Sequence, residues 1–146
     1  MNKNIKVELV EIARQNGGVL KAEDVVAHAE NPESAMHSWF TWEDTEAARQ
    51  WRLHQARMLI RVTVVIAPDK EDRVKAFVSM TDDRYNGDGG GYRVMADVLT
   101  DEDRRKQLLE EALLEANRWM QKYRRLTELA GVFAAIDLIA KEKAIA

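Results

Sequence analysis

Residues 42–61, WEDTEAARQWRLHQARMLIR, decide how the chain is read. Ala48, Trp51, Gln55, Met58 or Leu59, and Val62 recur at steps of three and four, the spacing that lines one face of a helix. That face is expected to be the buried one. Thr41, with Asp44 three residues later, supplies a cap, and acids in the first turn suit a helix N-terminus. The helix then runs into Val62-Thr63-Val64-Val65-Ile66, whose β-branched residues signal a strand.

Outward from it towards the N-terminus, residues 3–15 predict a helix with Ile5, Leu9, Ile12 and Ala13 on one side. Asn16-Gly17-Gly18 closes it, since glycine reaches the left-handed backbone region at little steric cost. A second short helix spans residues 22–30, with Val25, Val26 and Ala29 inward and Lys21 as a poor cap. Asn31-Pro32 restarts the chain, and Met36 and His37 deliver Trp39 and Trp42 to the organising helix. These tryptophans read as a hydrophobic seal in preference to a ligand-binding pair.

Towards the C-terminus, strands are expected at residues 62–67, 74–80 and 92–95. APDKEDR forms a charged turn between the first two. Asn86-Gly87 and Gly89-Gly90-Gly91 provide the positive φ angles of a hairpin tip before the third. A three-stranded antiparallel meander with helices on one face follows. Val65 and Phe77 are apolar on its other face and call for cover from elsewhere in the chain or from another subunit. A last helix is expected over residues 100–143, capped by Thr100. Leu109, Leu113, Ala116, Met120, Tyr123, Thr127, Ala130 and Ala134 form a heptad seam, with Gly131 the one weak point. Such a helix is roughly 60 Å long at its ordinary rise, more than a domain of this size can cover. Self-association through Leu113, Met120, Tyr123, Phe133 and Ile136 is therefore expected. The fold class is α+β in one domain, 1–146: a helical lead-in (3–40), the organising helix (41–61), a sheet (62–95) and the long helix (100–143).

Composition narrows function by exclusion. The chain has 146 residues, enough for one core, and a net charge of −3, so no global basic field holds a polyanion. It contains no cysteine, which removes disulfides, thiolate metal sites and cysteine nucleophiles. The N-terminal residues lack the apolar run of a signal peptide, and no stretch has the length of a membrane span. A soluble, intracellular protein without membrane contact is expected.

Individual motifs carry little chemistry. GDGGG is followed by Tyr92-Arg93-Val94, which reads as strand, where a phosphate loop needs Lys-Ser or Lys-Thr and a helix. His28, His37 and His54 make no zinc-type pair, although His37 and His54 could meet near Glu43 and Asp44 as a metal or acid–base site. Asp137, inside an apolar run, lies either on a wet edge of its helix or against an arginine across an interface. Arg49, Arg52, Arg57 and Arg61 spread around the organising helix as a solvated face, or alternatively as a narrow anion- or partner-binding strip. Residues 3–30 have the outline of a helix-turn-helix, but Glu23 and Asp24 occupy the end that would enter a groove.

Several blocks taken together carry a resemblance. They are Gly18-x-Leu20, Val25-Val26 and Ala29; Met36-His37-Ser38-x-Phe40-x-Trp42-Glu43-Asp44; Ala47-Ala48; and Arg52-Leu53-x-Gln55-Ala56-Arg57-x-Leu59-Ile60-Arg61. With Phe77-Val78-Ser79, Tyr92-Arg93 and Val132-Phe133-Ala134-Ala135-Ile136-Asp137, the chain resembles a family of small proteins of tailed bacteriophages and prophages whose function is unassigned. It departs from that pattern at Lys21, where threonine is usual, and at Ala35, where proline is common. The resemblance implies a phage-encoded protein in the host bacterial cytoplasm and no particular activity.

The expected function is that of a non-enzymatic phage accessory protein, a homo-oligomer that binds another macromolecule, an unidentified phage or host protein. Its partner-binding residues would be Arg49, Arg52 and Arg57 on the organising helix, with Tyr92 and Arg93 beside the hairpin. No catalytic residue, metal or cofactor is expected. The alternative is a DNA-binding regulator using residues 3–30, although nucleic acid is not favoured. A third reading is a metal-dependent enzyme centred on His37, His54, Glu43 and Asp44.

Overall fold

A computed structural model of the chain describes residues 3–42, 45–66, 73–85 and 90–145. The fold is α+β, with small antiparallel sheets set among helices. The chain divides into two compact units, Met1–Thr100 and Asp101–Ala146.

In the first unit α1 (Lys3–Gln15) buries Ile5, Leu9, Ile12 and Ala13, as its periodicity requires. The Gly18 N–H reaches back to the Ala13 carbonyl at 2.7 Å, and Gly17 and Gly18 both take positive φ, a helix stop only glycine reaches without strain. The chain leaves that stop as a strand, β1 (Val19–Leu20), and then forms α2 (Ala22–Ala29). Lys21 makes no side-chain cap to α2, in keeping with its side-chain chemistry. A 3₁₀ turn at His37–Trp39 precedes α3 (Glu46–Val62), the organising helix. Its cap is Thr45, whose hydroxyl accepts from the Ala48 N–H at 3.1 Å, and not Thr41; Glu43 and Asp44 lie outside the described residues.

The buried face of α3 also departs from the expected stripe, of which Leu59, offered as the alternative to Met58, is alone buried. Leu53, Ala56, Leu59 and Ile60 are inside, and α3 packs on α2. Trp51, Met58 and Val62 face outward. Both stripes have helical period; the inner one offers a small residue, Ala56, with aliphatic side chains, so that α2 can approach through Ala22, Val25 and Ala29.

After α3 come β2 (Val64–Ile66), β3 (Arg73–Lys75), β4 (Phe77–Val78), α4 (Thr81–Tyr85), β5 (Tyr92–Val94) and α5 (Met95–Thr100). The expected second strand breaks at Ala76. Its first half pairs with β2, Val65 opposite Val74, as a two-stranded sheet. Its second half joins β5, and β5 pairs on its other side with β1, giving the order β1-β5-β4. Ala76 links the two sheets: its N–H donates to the Thr63 carbonyl and its carbonyl accepts from the Met95 N–H. Buried Thr63 is satisfied within α3, its Oγ1 donating to the Leu59 carbonyl at 2.7 Å. Most of the charged turn and, in the hairpin tip, Asn86, Gly87 and Gly89 lie outside the described residues.

The second unit is a helical hairpin. α6 (Glu102–Tyr123) is capped by Asp101, which accepts from the Arg104 N–H at 3.0 Å; the Thr100 hydroxyl instead bonds carbonyls of α5. The continuous helix to residue 143 is interrupted at residues 124–129, ahead of Gly131, and α7 (Ala130–Ile145) runs back antiparallel to α6. Folding back lets the seam cover itself. Trp119 meets Phe133 edge-on with centroids 5.7 Å apart, and Tyr123 packs beside Trp119.

Candidate functional site

The outward stripe of α3 is the most unusual surface of the first unit. Trp51 is 52% exposed, Met58 49% and Val62 51%, whereas the adjacent Leu59 is 1% exposed. Positions 51, 55, 58 and 62 fall along one line of a helix, so Trp51, Met58 and Val62 share one outward strip that half-buried Gln55 interrupts. His54 stacks on Trp51 with centroids 5.3 Å apart and broadens it. Gln55 donates to the Trp39 carbonyl at 3.0 Å, which ties exposed Trp39 to the same helix. Half-buried Arg57 and exposed Arg61 border the strip.

The arginines singled out from sequence take different roles. Arg52 donates to the Thr41 carbonyl at 2.9 Å and lies over the Trp42 ring at 5.5 Å, so it anchors the segment before α3. Trp42 is held further by the His37 ring, stacked at 5.0 Å, and by the His37 carbonyl, which accepts from its Nε1 at 3.1 Å. Trp42 thus makes the expected seal, while Trp39 does not. Arg93 is engaged by Asp83 in a two-pronged pair at 2.7 and 2.6 Å, with the Asp83 side chain nearly buried. Tyr92 is half-buried, its hydroxyl accepting from Arg61 Nε at 3.3 Å. Arg49 is exposed. Arg52 and Arg57 flank opposite sides of the strip, since five residues turn a helix by about 140° from face to face.

Comparison with protein-family models, with curated proteins and with solved structures finds no match to this chain.

The histidines are occupied separately. His37 Nδ1 lies 2.8 Å from the Ala29 carbonyl, and His54 stacks on Trp51. Glu43 and Asp44 lie outside the described residues. Among the described residues no group of three or more His, Asp or Glu is placed to hold a metal ion. His28, Glu8 and Ser34 do converge: Glu8 accepts from Ser34 Oγ and from the Ala35 N–H, and His28 Nε2 sits 3.3 Å from the same carboxylate. The carboxylate stands between hydroxyl and imidazole, so the histidine is not placed to take the serine proton. This cluster ties α1 to the residues after α2.

The helix-turn-helix outline resolves differently. Its connection is β1, paired in a sheet with Val19 opposite Arg93, and α2 is committed to α3. Gly91, within the glycine cluster, serves packing: a Cβ there would lie 2.5 Å from Val19 Cγ1. No described helix is long and apolar enough to cross a membrane.

A groove of ≈ 670 Å³ opens between α1, the β2–β3 pair and α5, lined by Val10, Val65, Val74, Val94 and Leu99 among others, with Lys6 and Arg14 at its edge. Among the hairpin residues expected to mediate assembly, Met120 is buried, and Leu113, Tyr123, Phe133 and Ile136 are half-buried. Asp137 is exposed on the wet edge beside α6.

The α3 strip had a signal in the sequence. Two helical stripes overlap there, and Leu53-Ala56-Ile60 is the one without large aromatic or polar members.

Proposed function

We propose that this chain is a non-enzymatic binding protein that captures another protein through the outer face of α3 and self-associates through a separate surface. The observation that carries the reading is the strip of Trp51, Met58 and Val62, about half exposed on a helix whose opposite face is fully buried. Tryptophan, methionine and arginine are the side chains that protein interfaces concentrate, and a rigid helix presents them with little ordering cost. His54, Arg57 and Arg61 beside the strip fit a partner surface that is apolar at its centre and acidic at its margin. The sequence resemblance supports a phage accessory role in the bacterial cytoplasm, with a phage or host protein as the partner.

The test is a photo-crosslinking amino acid placed at Trp51 in infected or uninfected bacterial cells. A discrete crosslinked partner, lost when Met58→Glu is added while the helical signal and melting temperature hold, is the expected result. A crosslink pattern that Met58→Glu leaves unchanged removes α3 from the function. The DNA-binding alternative would show itself as nucleic acid co-eluting with the purified chain and released by salt.

A further inference from the structure

The groove between α1, the β2–β3 pair and α5 has an aliphatic interior and a basic edge. Antiparallel pairing sets Val65 opposite Val74, and partners directly across a ladder project from the same face of the sheet. They wall a space of ≈ 670 Å³ whose floor is buried Ala76 and Val94. Val10 and Val65 are half-buried there, while Val74 is 40% exposed and Leu99 47%. Among the described residues that line the groove, none carries a hydroxyl, an amide, an imidazole or an aromatic ring. The main chain of the floor is closed as well, since the Ala76 N–H and carbonyl are both taken, by Thr63 and Met95. A guest with polar groups along its body would lose their hydration without replacement, and a hydrocarbon would not.

The edge has the opposite character. Lys6, Val10 and Arg14 follow at steps of four along α1, so a cation stands on each side of Val10, the two about 12 Å apart along the axis. Neither has an ion-pair partner among the described residues. Lys75 is committed to the Arg61 carbonyl at 2.6 Å, and Asp97 is the one carboxylate among the described lining residues. A surplus of positive charge therefore borders a space that accepts only hydrocarbon.

We propose that this groove binds a fatty acid, its alkyl chain over Val65, Val74 and Leu99 and its carboxylate at the α1 edge against Lys6 or Arg14. The chain displaces water from aliphatic surface, and the carboxylate gains a charge-assisted hydrogen bond. A space of this size is that of a small-molecule site. It shares no lining residue with the α3 strip, and the proposal is independent of protein capture there.

The test titrates the full-length chain with sodium decanoate, below micelle-forming concentrations, by isothermal calorimetry. Decanol supplies the chain without the charge, and acetate the charge without the chain. One decanoate per chain is expected, with decanol about tenfold weaker and acetate not binding. Lys6→Gln combined with Arg14→Gln should bring decanoate down to the affinity of decanol, with the circular dichroism spectrum unchanged. Val74→Trp and Leu99→Trp, each at an exposed position, fill the groove and should abolish binding. Met58→Glu on α3 should leave it intact, so failure of this site and failure of α3 capture are distinguishable. No decanoate binding, equal affinity for decanoate and decanol, or binding that survives both folded tryptophan variants would overturn the proposal. Loss of binding in Met58→Glu would overturn it too. So would a dimer in light scattering that Val74→Trp converts to monomer, because the groove would then belong to a second copy.

Discussion

Asp83 and Arg93 show how a side chain that reads as a binding residue can be claimed by the fold. The carboxylate on α4 meets both prongs of the guanidinium on β5, and the pair is shielded enough that losing one partner strands the other. Asp83→Ala is therefore expected to cost about 3 kcal/mol of stability in chemical denaturation. Gly91 presents a second local constraint. Its missing Cβ is the space that Val19 Cγ1 occupies. Gly91→Ala should destabilise by about 1–3 kcal/mol, and Val19→Ala in the same chain should recover part of that loss. A double-mutant cycle by urea unfolding measures the coupling. Simple additivity would mean that the contact between β1 and Gly91 is not the cause.

The phase of α3 matters most at the scale of elements. Its inner stripe buries Leu59 completely, and its outer stripe leaves Met58 half exposed, one residue away. Leu59→Ala should cost about 3 kcal/mol, whereas Met58→Ala should change stability by about 0.5 kcal/mol or less. A larger loss at Met58 than at Leu59 would mean that α3 turns its Trp51–Met58–Val62 stripe inward. The same element shows why arginine spacing misleads. Arg52 holds the segment before α3 through the Thr41 carbonyl and Trp42, so Arg52→Ala should lower the melting temperature as well as any partner affinity. Arg57→Ala, on the other side of the strip, should affect affinity with little change in melting.

Two compact units make up the whole molecule, and they should respond differently to concentration. The first has a continuous core from Leu9 and Leu20 to Ile60 and Phe77. Among the described residues of the second, Met120 alone is buried. Amide hydrogen exchange is expected to show protection in α6 and α7 that rises with protein concentration, and protection in α1 and α3 that does not. Concentration-independent protection of the hairpin would argue against its pairing with a second copy.

By itself the sequence determined the α+β class, the helices at both ends, the glycine stop after α1, the weak cap at Lys21 and the sealing role of Trp42. These follow from local chemistry: period, capping groups and backbone freedom act within a few residues. Only the tertiary structure decided which of two overlapping stripes on α3 is buried, because both have the same period and the choice rests on how closely α2 can approach. It also decided that β1 completes the sheet beside β5, that Arg93 belongs to Asp83, and that the last helix turns back between Tyr123 and Ala130. Each of these is a contact between residues distant in the chain, chosen by packing and charge pairing that spacing along a single strand or helix does not encode.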